Sequence, residues 1–256
     1  MKCVVKNLIT GYGEKALSSA TLSFTHGDGE ILSILGPNGV GKTTLLKTLL
    51  GLIPALGGTI HYNEQALSTW KPRDFWQKVG YVPQAKSAQG ASITLEEMVV
   101  LGRSPRMGLF AQPSPSDWAA VDKALALVGM NAFADRSLHA LSGGQLQLGL
   151  IARALVNDPE WIILDEPESH LDFKNQERVL SVIDSLKAQG LGAIFNTHFP
   201  HHAIELADQA ILLSETEAPL VGPAKAILTA PNLSKALDVP IEIGTIAGRT
   251  SIVVPR

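Results

Sequence analysis

The chain has 256 residues, of which 45% are hydrophobic and 18% are charged, and its formal net charge at pH 7 is −3. This composition is typical of a globular protein with a sizeable core, and the small acidic charge argues against nucleic acid as a partner. The single cysteine, Cys3, excludes an intramolecular disulfide and suits a reducing compartment. We expect no signal peptide, and no apolar run approaches the roughly 20 residues that span a bilayer.

The first 35 residues predict three short strands, at 3–5, 20–24 and 31–35, separated by turns that contain glycine. Tyr12 lies in one of these turns, between Gly11 and Gly13. Its aromatic face could stack on a nucleotide base, or it could pack over the edge of the sheet. The residues alone leave both interpretations open.

A glycine-rich segment joins the third strand to a helical pattern that ends at Gly51. It matches G-x-x-x-x-G-K-[ST] and consists of Gly36, Pro37, Asn38, Gly39, Val40, Gly41, Lys42, Thr43 and Thr44. Glycines let successive backbone N–H groups turn toward phosphate oxygens, and a helix N-terminus adds its positive end. Lys42 can then supply a cation for the β- and γ-phosphates, and Thr43 a hydroxyl for Mg²⁺. The segment therefore predicts a phosphate-binding loop.

Two further strands are predicted, at 58–62 and 78–82. Gln84 follows the second of them. Its amide could reach a metal or a water, or it could be an ordinary surface polar group.

Residues 92–138 carry apolar side chains at helical spacing, so we expect a helical insertion there. Ser116 could cap its second helix, and Gly129 could end that helix. Arg103 and Arg106 lie in the proline-containing loop between the helices. They could contact a partner or be solvated.

A helical run at 147–156 follows Ser142, Gly143, Gly144 and Gln145. A serine and two glycines at a helix N-terminus can donate hydrogen bonds to an anion, but this segment contains no lysine. Without other information it is only a helix cap.

The apolar run 161–164 predicts a buried strand that ends at Asp165 and Glu166. Two adjacent acids at such a position indicate a cation or a reaction. A later strand, predicted at 193–195, leads to His198. The carboxyl ends of parallel strands share one edge of a sheet, so we expect His198 and both acids near the phosphate loop.

His198, His201 and His202 stand within five positions, but no carboxylate or thiol completes a convincing ligand set. We therefore do not expect these histidines to form a metal site. A last core strand is predicted at 210–213, followed by a tail with short helices and a possible strand at 241–254.

Seven motifs in order resemble the ATP-binding subunit of ABC transporters over residues 1–215. They are Tyr12, GPNGVGKTT, Gln84, LSGGQ, IILDEP, SHLD and His198. The resemblance implies an α/β fold with a P-loop NTPase (RecA-like) core, a mainly parallel sheet, an antiparallel β subdomain and an α-helical insertion subdomain. It also implies one ABC ATPase domain over 1–256, in which 1–91 and 139–215 form the catalytic core with the β subdomain. Residues 92–138 would then be the helical subdomain and 216–256 a C-terminal tail.

The same resemblance implies roles for individual residues. Tyr12 would stack on the adenine of ATP, while Lys42 and the loop amides would hold its phosphates. Glu166 would activate the attacking water and His198 would sense the γ-phosphate. Thr43, Gln84 and Asp165 would bind the Mg²⁺ ion.

The family works as a head-to-tail dimer, so a homodimer is implied here. Ser142, Gly143, Gly144 and Gln145 of one subunit would cover ATP bound at the phosphate loop of the other. Asp172 would lie at the seam between the two subunits.

Two positions depart from the family's usual pattern. Leu146 stands where a basic residue is frequent, and Glu168 where threonine or serine is common. We expect the extra acid either to slow ATP binding or to point to solvent. Neither change removes a chemical group, so we still expect ATP hydrolysis.

A looser set of motifs is similar to importers of metal chelates. It includes residues 101–105 (LGRSP), 197–200 (THFP) and 228–233 (LTAPNL), with Phe110, Pro113 and Asp117 between them. That group imports ferric siderophores, haem, cobalamin and, in some members, metal oxyanions such as molybdate. This similarity implies that two copies of the chain lie under a pair of polytopic permease subunits on the cytoplasmic face of the inner membrane. An external binding protein would deliver the transported substrate to the permease. The helical segment and the loop after Gln84 would grip the permease.

A second hypothesis is an ABC ATPase without a permease that acts in iron–sulfur assembly, DNA repair or translation. Such proteins often carry two cassettes, zinc modules or basic arms. None of these is found in the sequence.

Overall fold

We describe the chain from a computed structural model, which covers residues 1–12, 15–16, 21–84, 92–107 and 111–255. The side chains of residues 12, 15 and 16 fall outside this description. So do Phe110, the start of the strand expected at residue 20, and most of the loop after Gln84, which the sequence analysis assigned to permease binding.

The strands follow the short apolar and β-branched runs of the sequence. In chain order they are β1 (Cys3–Ile9), β2 (Gly11–Tyr12), β3 (Lys15–Ala16), β4 (Leu22–His26), β5 (Ile31–Leu35), β6 (Gly57–Tyr62), β7 (Gln65–Ala66), β8 (Val79–Val82), β9 (Trp161–Asp165), β10 (Gly192–Asn196), β11 (Gln209–Leu212), β12 (Leu220–Pro223), β13 (Glu242–Ile246) and β14 (Arg249–Val253).

The helices occupy the segments with apolar side chains at helical spacing. They are α1 (Lys42–Leu49), α2 (Pro72–Lys78), α3 (Leu95–Val100), α4 (Pro115–Leu127), α5 (Gly143–Leu155), α6 (Phe173–Ala188), α7 (Pro200–Leu206), α8 (Ala224–Ile227) and α9 (Ala230–Leu237). Among the helices described, none is both long and apolar enough to cross a bilayer.

The chain divides into two compact units. The first unit comprises Met1–Trp70 with Gly192–Arg256, and the second comprises Lys71–Leu191. The helical segment expected at 92–138 lies within the second unit.

Two sheets build the first unit. One is antiparallel, with the strand order β4, β1, β6 and β7. In the other, β5 pairs in parallel with both β10 and β11, and every residue of β5 and β10 is buried. Such continuous apolar strands are typical of a parallel sheet with both faces covered. The expected antiparallel subdomain and mainly parallel core are both present in this unit.

The segment after residue 215 contributes to the core of the first unit. Strand β12 pairs antiparallel with β11, which was not predicted from the sequence. Apolar side chains of α8 and α9 then join a cluster on this sheet, and its buried members are Leu35, Ala203, Ala210, Leu212, Ala224, Leu228, Leu233, Ala236 and Ile241. Residues 220–241 therefore stabilise the sheet that ends in the phosphate loop.

The expected single strand at 241–254 is wrong. The segment forms a hairpin of β13 and β14, in which Ile246 pairs with Arg249. Ala247 and Gly248 both have positive φ, at 51° and 80°, which closes a two-residue hairpin turn.

The second unit combines helices with a parallel strand pair, β8 and β9. Its core includes the whole of β9, each residue of which is buried, and ten residues of α5. Helix α2, which precedes β8, was not predicted, and Lys78 ends that helix instead of beginning the strand.

The prediction that Ser116 caps α4 is wrong. Ser114 is the N-cap, and it forms a capping box with Asp117 in which each side chain binds the other residue's backbone N–H. Pro115 takes the first helical position, where its missing N–H costs nothing. The cap therefore lies two residues earlier than predicted.

Arg103 and Arg106 brace the second unit internally. The Nε of Arg103 donates to Oδ1 of Asp117 at 2.8 Å, and its side chain is largely buried. Arg106 donates from Nη2 to the carbonyl oxygen of Asn157 at 2.9 Å. Hydrogen bonds from Ser114 and the Arg103 guanidinium lower the pKa of Asp117 to about 2.

Candidate functional site

The phosphate loop leaves the carboxyl end of β5 and ends in the first turn of α1. Gly36, Gly39 and Gly41 have φ of 152°, 82° and 107°, a region that side chains other than glycine rarely adopt. A Cβ added at Gly36 would lie 2.7 Å from the carbonyl oxygen of Leu213. The glycine pattern is therefore required by the backbone path of the loop.

Lys42 lies across this loop. Its ammonium nitrogen donates to the carbonyl oxygens of Gly36 at 2.8 Å and Pro37 at 2.9 Å, and the side chain is only 5% exposed. The cation is thus held within the loop. Thr43 and Thr44 follow it in the first turn of α1, where backbone N–H groups have no acceptor within the helix. This cradle of donors fits a nucleotide phosphate.

His198 follows β10, the strand beside β5. Ile34 and Asn196 are paired in register, and the N–H of Thr197 donates to the carbonyl of Ile34 at 3.2 Å. His198 is exposed just beyond this pair. In the first unit, the structure therefore places His198 and the start of the phosphate loop at the same edge of the sheet.

Gln84 and Glu166 are brought together in the second unit. Val82 of β8 pairs with Leu164 of β9. Gln84 lies two residues after Val82, and Glu166 lies two residues after Leu164. The Nε2 of Gln84 donates to Oε2 of Glu166 at 2.9 Å. That bond uses the amide nitrogen, so the amide oxygen of Gln84 is the atom that could ligate a metal.

Asp165 is the last residue of β9 and is 4% exposed. Burial of Tyr81, and to a smaller extent the negative charge of Asp165, raise the pKa of Tyr81 to about 12. A carboxylate, an amide oxygen and the hydroxyl of Thr43 are hard oxygen donors of the kind that Mg²⁺ prefers. The donor types thus fit Mg²⁺, while no group of three or more His, Cys, Asp or Glu suited to a metal occurs in the described residues.

Ser169 also contacts Glu166, and the sequence predicted no role for it beyond its place in the SHLD motif. Its hydroxyl donates to Oε2 of Glu166 at 3.0 Å, and its backbone N–H donates to the carbonyl of Glu166 at 3.1 Å. Glu166 itself has a positive φ of 50°. A serine three residues after an acid is a common turn arrangement, and that spacing was the available signal.

The segment from Ser142 to Gln145 is the capped start of α5, which begins at Gly143 and not at residue 147. The Ser142 hydroxyl accepts from the N–H of Gln145 at 3.3 Å, and the Gln145 side chain accepts from the N–H of Ser142 at 2.9 Å. Ser142 and Gly143 are exposed. The Ser142 hydroxyl and the Gly143 N–H can therefore donate to an anion from outside the chain.

Gly144 has a packing reason to lack a side chain. A Cβ there would lie 2.3 Å from Cγ of Asn175 on α6, whereas one at Gly143 would meet only Leu171, at 3.7 Å. The start of α5 thus packs directly on the start of α6, a contact that the sequence analysis did not foresee.

Glu168 does not point to solvent, which was one of the two expectations for it. The residue is fully buried, and its carbonyl accepts from Nε2 of Gln176 at 3.3 Å. Leu146 is buried in α5. The role expected for Tyr12 stays a prediction, since its side chain lies outside the described part.

Comparison with known proteins agrees with this geometry. The ABC transporter family model matches residues 20–169. The molybdate import ATP-binding protein MolC of Haemophilus influenzae is 36% identical over 93% of this chain and 88% of its own. The iron(3+)-hydroxamate import ATP-binding protein FhuC of Bacillus subtilis is 31% identical over 92% of this chain and 87% of its own. A solved metal-chelate type ABC transporter in an inward-facing conformation has a TM-score of 0.87 and 32% identity, covering 99% of this chain and 97% of that one.

Proposed function

Because the chain belongs to the ABC transporter family, as its ATP-binding subunit, we propose that it energises import of a metal chelate or a metal oxyanion. The subunit binds and hydrolyses ATP and works in a transporter complex with membrane permease partners. Similarity to importer subunits over nine-tenths of the chain is the observation that carries the transport proposal.

The substrate class rests on those relatives and on the looser sequence motifs. MolC is named for molybdate and FhuC for ferric hydroxamate, and the similar solved transporter is of the metal-chelate type. Ferric siderophores, haem, cobalamin and metal oxyanions are therefore the candidates for this chain. The permease and the binding protein would select among them.

Hydrolysis would proceed by attack of a water oxygen on the γ-phosphorus, with cleavage of its bond to the oxygen that stays with ADP. Glu166 would take the proton of that water and be converted to the neutral acid. Lys42 would leave its loop carbonyls to neutralise phosphate oxygens, and His198 would donate a hydrogen bond to the γ-phosphate. Tyr12 would stack on the adenine.

We assign Mg²⁺ to this site as well. Thr43, Gln84 and Asp165 would hold it by their oxygen atoms. When bound, it would supply positive charge that neutralises the β- and γ-phosphate oxygens while the bond from the γ-phosphorus to the leaving oxygen of ADP breaks.

The site would be completed by a second copy of the chain. The exposed start of α5, with Ser142, Gly143, Gly144 and Gln145, would close over ATP held at the partner's phosphate loop. It lacks a lysine, which suits a surface that meets an anion already bound to a cationic loop. Such a homodimer would lie under two polytopic permease subunits on the cytoplasmic face of the inner membrane, with an external binding protein delivering substrate.

The transport proposal can be tested by capturing tagged chain from detergent-solubilised membranes of its host and identifying bound proteins by mass spectrometry. We expect a polytopic membrane protein in stoichiometric amount. A partner set without any membrane protein, combined with high ATPase activity, would contradict import. That outcome would favour an ABC ATPase that works without a permease.

A further inference from the structure

We propose that Ser169 is a positioning residue that holds the carboxylate of Glu166 for proton transfer. The inference rests on the proposed role of Glu166 as the base. The Ser169 hydroxyl is 3.0 Å from Oε2 of Glu166, and the backbone N–H of Ser169 is 3.1 Å from the carbonyl oxygen of the same residue. One short turn therefore holds Glu166 by both its backbone and its side chain.

Glu166 needs such support because of where it stands. It is the first residue after β9 and has a φ of 50°, which is unusual for a residue with a side chain. Its side chain is half-buried, whereas every residue of β9 is buried. Strained backbone at a reacting residue persists only where the surroundings determine it. The two bonds from Ser169 provide that restraint.

The same carboxylate oxygen accepts from Gln84 at 2.9 Å, so two donors from different segments converge on Oε2. The two donors differ in what else they are proposed to do. Gln84 is exposed and is also a proposed ligand of Mg²⁺, whereas Ser169 is half-buried in the turn that leads to α6. Ser169 is therefore the donor to which we assign the orientation of the Glu166 carboxylate.

The chemistry of the hydroxyl fits this task. A serine hydroxyl is neutral at working pH, so it donates a hydrogen bond to the carboxylate without competing for the proton of the attacking water. That proton passes to Glu166 alone, and the water oxygen forms the new bond to phosphorus. Ser169 fixes the direction from which the carboxylate meets the water.

The test compares Ser169→Ala, Ser169→Thr and Glu166→Gln in the full chain, purified with whatever partner it retains. Loss of one hydrogen bond to a charged group should lower kcat of Ser169→Ala about tenfold. Affinity for ATP and KM should stay within about twofold, because the Ser169 hydroxyl contacts the carboxylate of Glu166, to which we assign proton transfer and not ATP binding. Ser169→Thr keeps the hydroxyl and should restore most of kcat.

Ser185→Ala is the matched control. Ser185 is an exposed serine of α6 whose hydroxyl donates to the carbonyl of Val182 at 2.7 Å, away from Glu166. The kcat of Ser185→Ala should equal that of the parent protein. Equal losses in Ser169→Ala and Ser169→Thr would show a packing effect and overturn the inference.

The outcomes also separate this inference from the proposed function. If Glu166→Gln is inactive while Ser169→Ala keeps the parental kcat, only the role of Ser169 is refuted. If Glu166→Gln keeps near-parental turnover, the base is elsewhere, and the roles of Glu166 and Ser169 are both refuted, while the import proposal is still decided by the captured membrane partners.

Discussion

Lys42 and Glu166, the two oppositely charged residues of the proposed site, each have hydrogen bonds to neutral groups. Backbone carbonyls of the loop accept from Lys42, and side chains of Gln84 and Ser169 donate to Glu166. Groups that are already oriented lose little freedom when charge develops in a reaction. Each of these two side chains is therefore held in place within its own unit, as its proposed role in phosphoryl transfer requires.

The buried residue His26 should make the stability of the first unit depend on pH. It ends β4, is fully buried, and lies 3.5 Å from a carboxylate oxygen of Glu30. Burial lowers the pKa of His26 from 6.5 to about 4, although the charges of Glu30 and Asp208 act in the opposite direction. The folded chain thus keeps this imidazole neutral where the unfolded chain protonates it.

The sign of the pH effect follows from proton linkage. Between pH 6.5 and pH 4 the unfolded state binds more protons, so His26 makes stability fall as the pH falls, by about 3 kcal/mol in total. His26→Gln should remove this part of the pH dependence. Urea unfolding of parent and variant at pH 7.5, 5.5 and 4.5 measures it, and identical pH slopes for the two proteins would contradict the assignment.

Because α5 packs against α6, alanine substitutions at the neighbouring residues Gly143 and Gly144 should have different effects on stability. Alanine at Gly144 gains about 1 kcal/mol of helix propensity, but its Cβ would lie 2.3 Å from Asn175, an overlap that costs more. We expect Gly144→Ala to lower the free energy of unfolding by ~2 kcal/mol.

Gly143→Ala is the matched control for that substitution. Its Cβ would meet only Leu171, at the ordinary contact distance of 3.7 Å, so stability should stay the same or rise by up to ~1 kcal/mol. Chemical unfolding of Gly143→Ala and Gly144→Ala measures the free energy of unfolding of each variant. Equal stabilities would mean that α5 and α6 do not pack as described.

The strands that carry functional residues could be predicted because their sequences are unambiguous. Residues 31–35 and 161–164 are continuous apolar runs, and glycines or acids mark where each one ends. Both runs are strands in the structure, and β9 extends one residue further, to include Asp165. The positions of the proposed site residues that follow these strands could therefore be predicted from local sequence.

Other features depend on contacts between segments that are distant in sequence. Strand β12 forms only because β11 offers an edge to Leu220–Pro223, and its own four residues are partly exposed. Asn175 reveals its role only when α6 packs on Gly144. The cap at Ser114 was missed because Ser116 is an equally good capping residue by type, and Pro115 decides between them.

At the scale of the whole molecule, Phe173 is the most exposed of the large apolar side chains described, at 88%. It begins α6 directly after Asp172, whose side chain caps that helix by accepting from the N–H of Asn175 at 2.8 Å. The neighbouring Leu171 and Asn175 approach Gly143 and Gly144. Phe173 therefore lies beside the surface that we propose meets a second copy.

Phe173→Glu should weaken the ATP-dependent dimer about tenfold or more, because a charge would replace apolar area that dimerisation removes from water. Analytical ultracentrifugation in the Glu166→Gln background measures this change. Ile246→Glu, at a 68% exposed position of the C-terminal hairpin, is the control and should leave the dimer unchanged. Equal dimer affinities for the two variants would place the seam elsewhere.

Closure of two copies of this chain over ATP and activation of the water by Glu166 can both be tested on one variant, Glu166→Gln. Light scattering measures its mass with and without ATP, and an ATPase assay measures its rate of hydrolysis. We expect 27.3 kDa without nucleotide, twice that mass with ATP, and turnover reduced at least a hundredfold, roughly the effect of removing a general base. A particle that stays at 27.3 kDa with ATP bound, or a variant that hydrolyses ATP at the parental rate, would contradict this expectation.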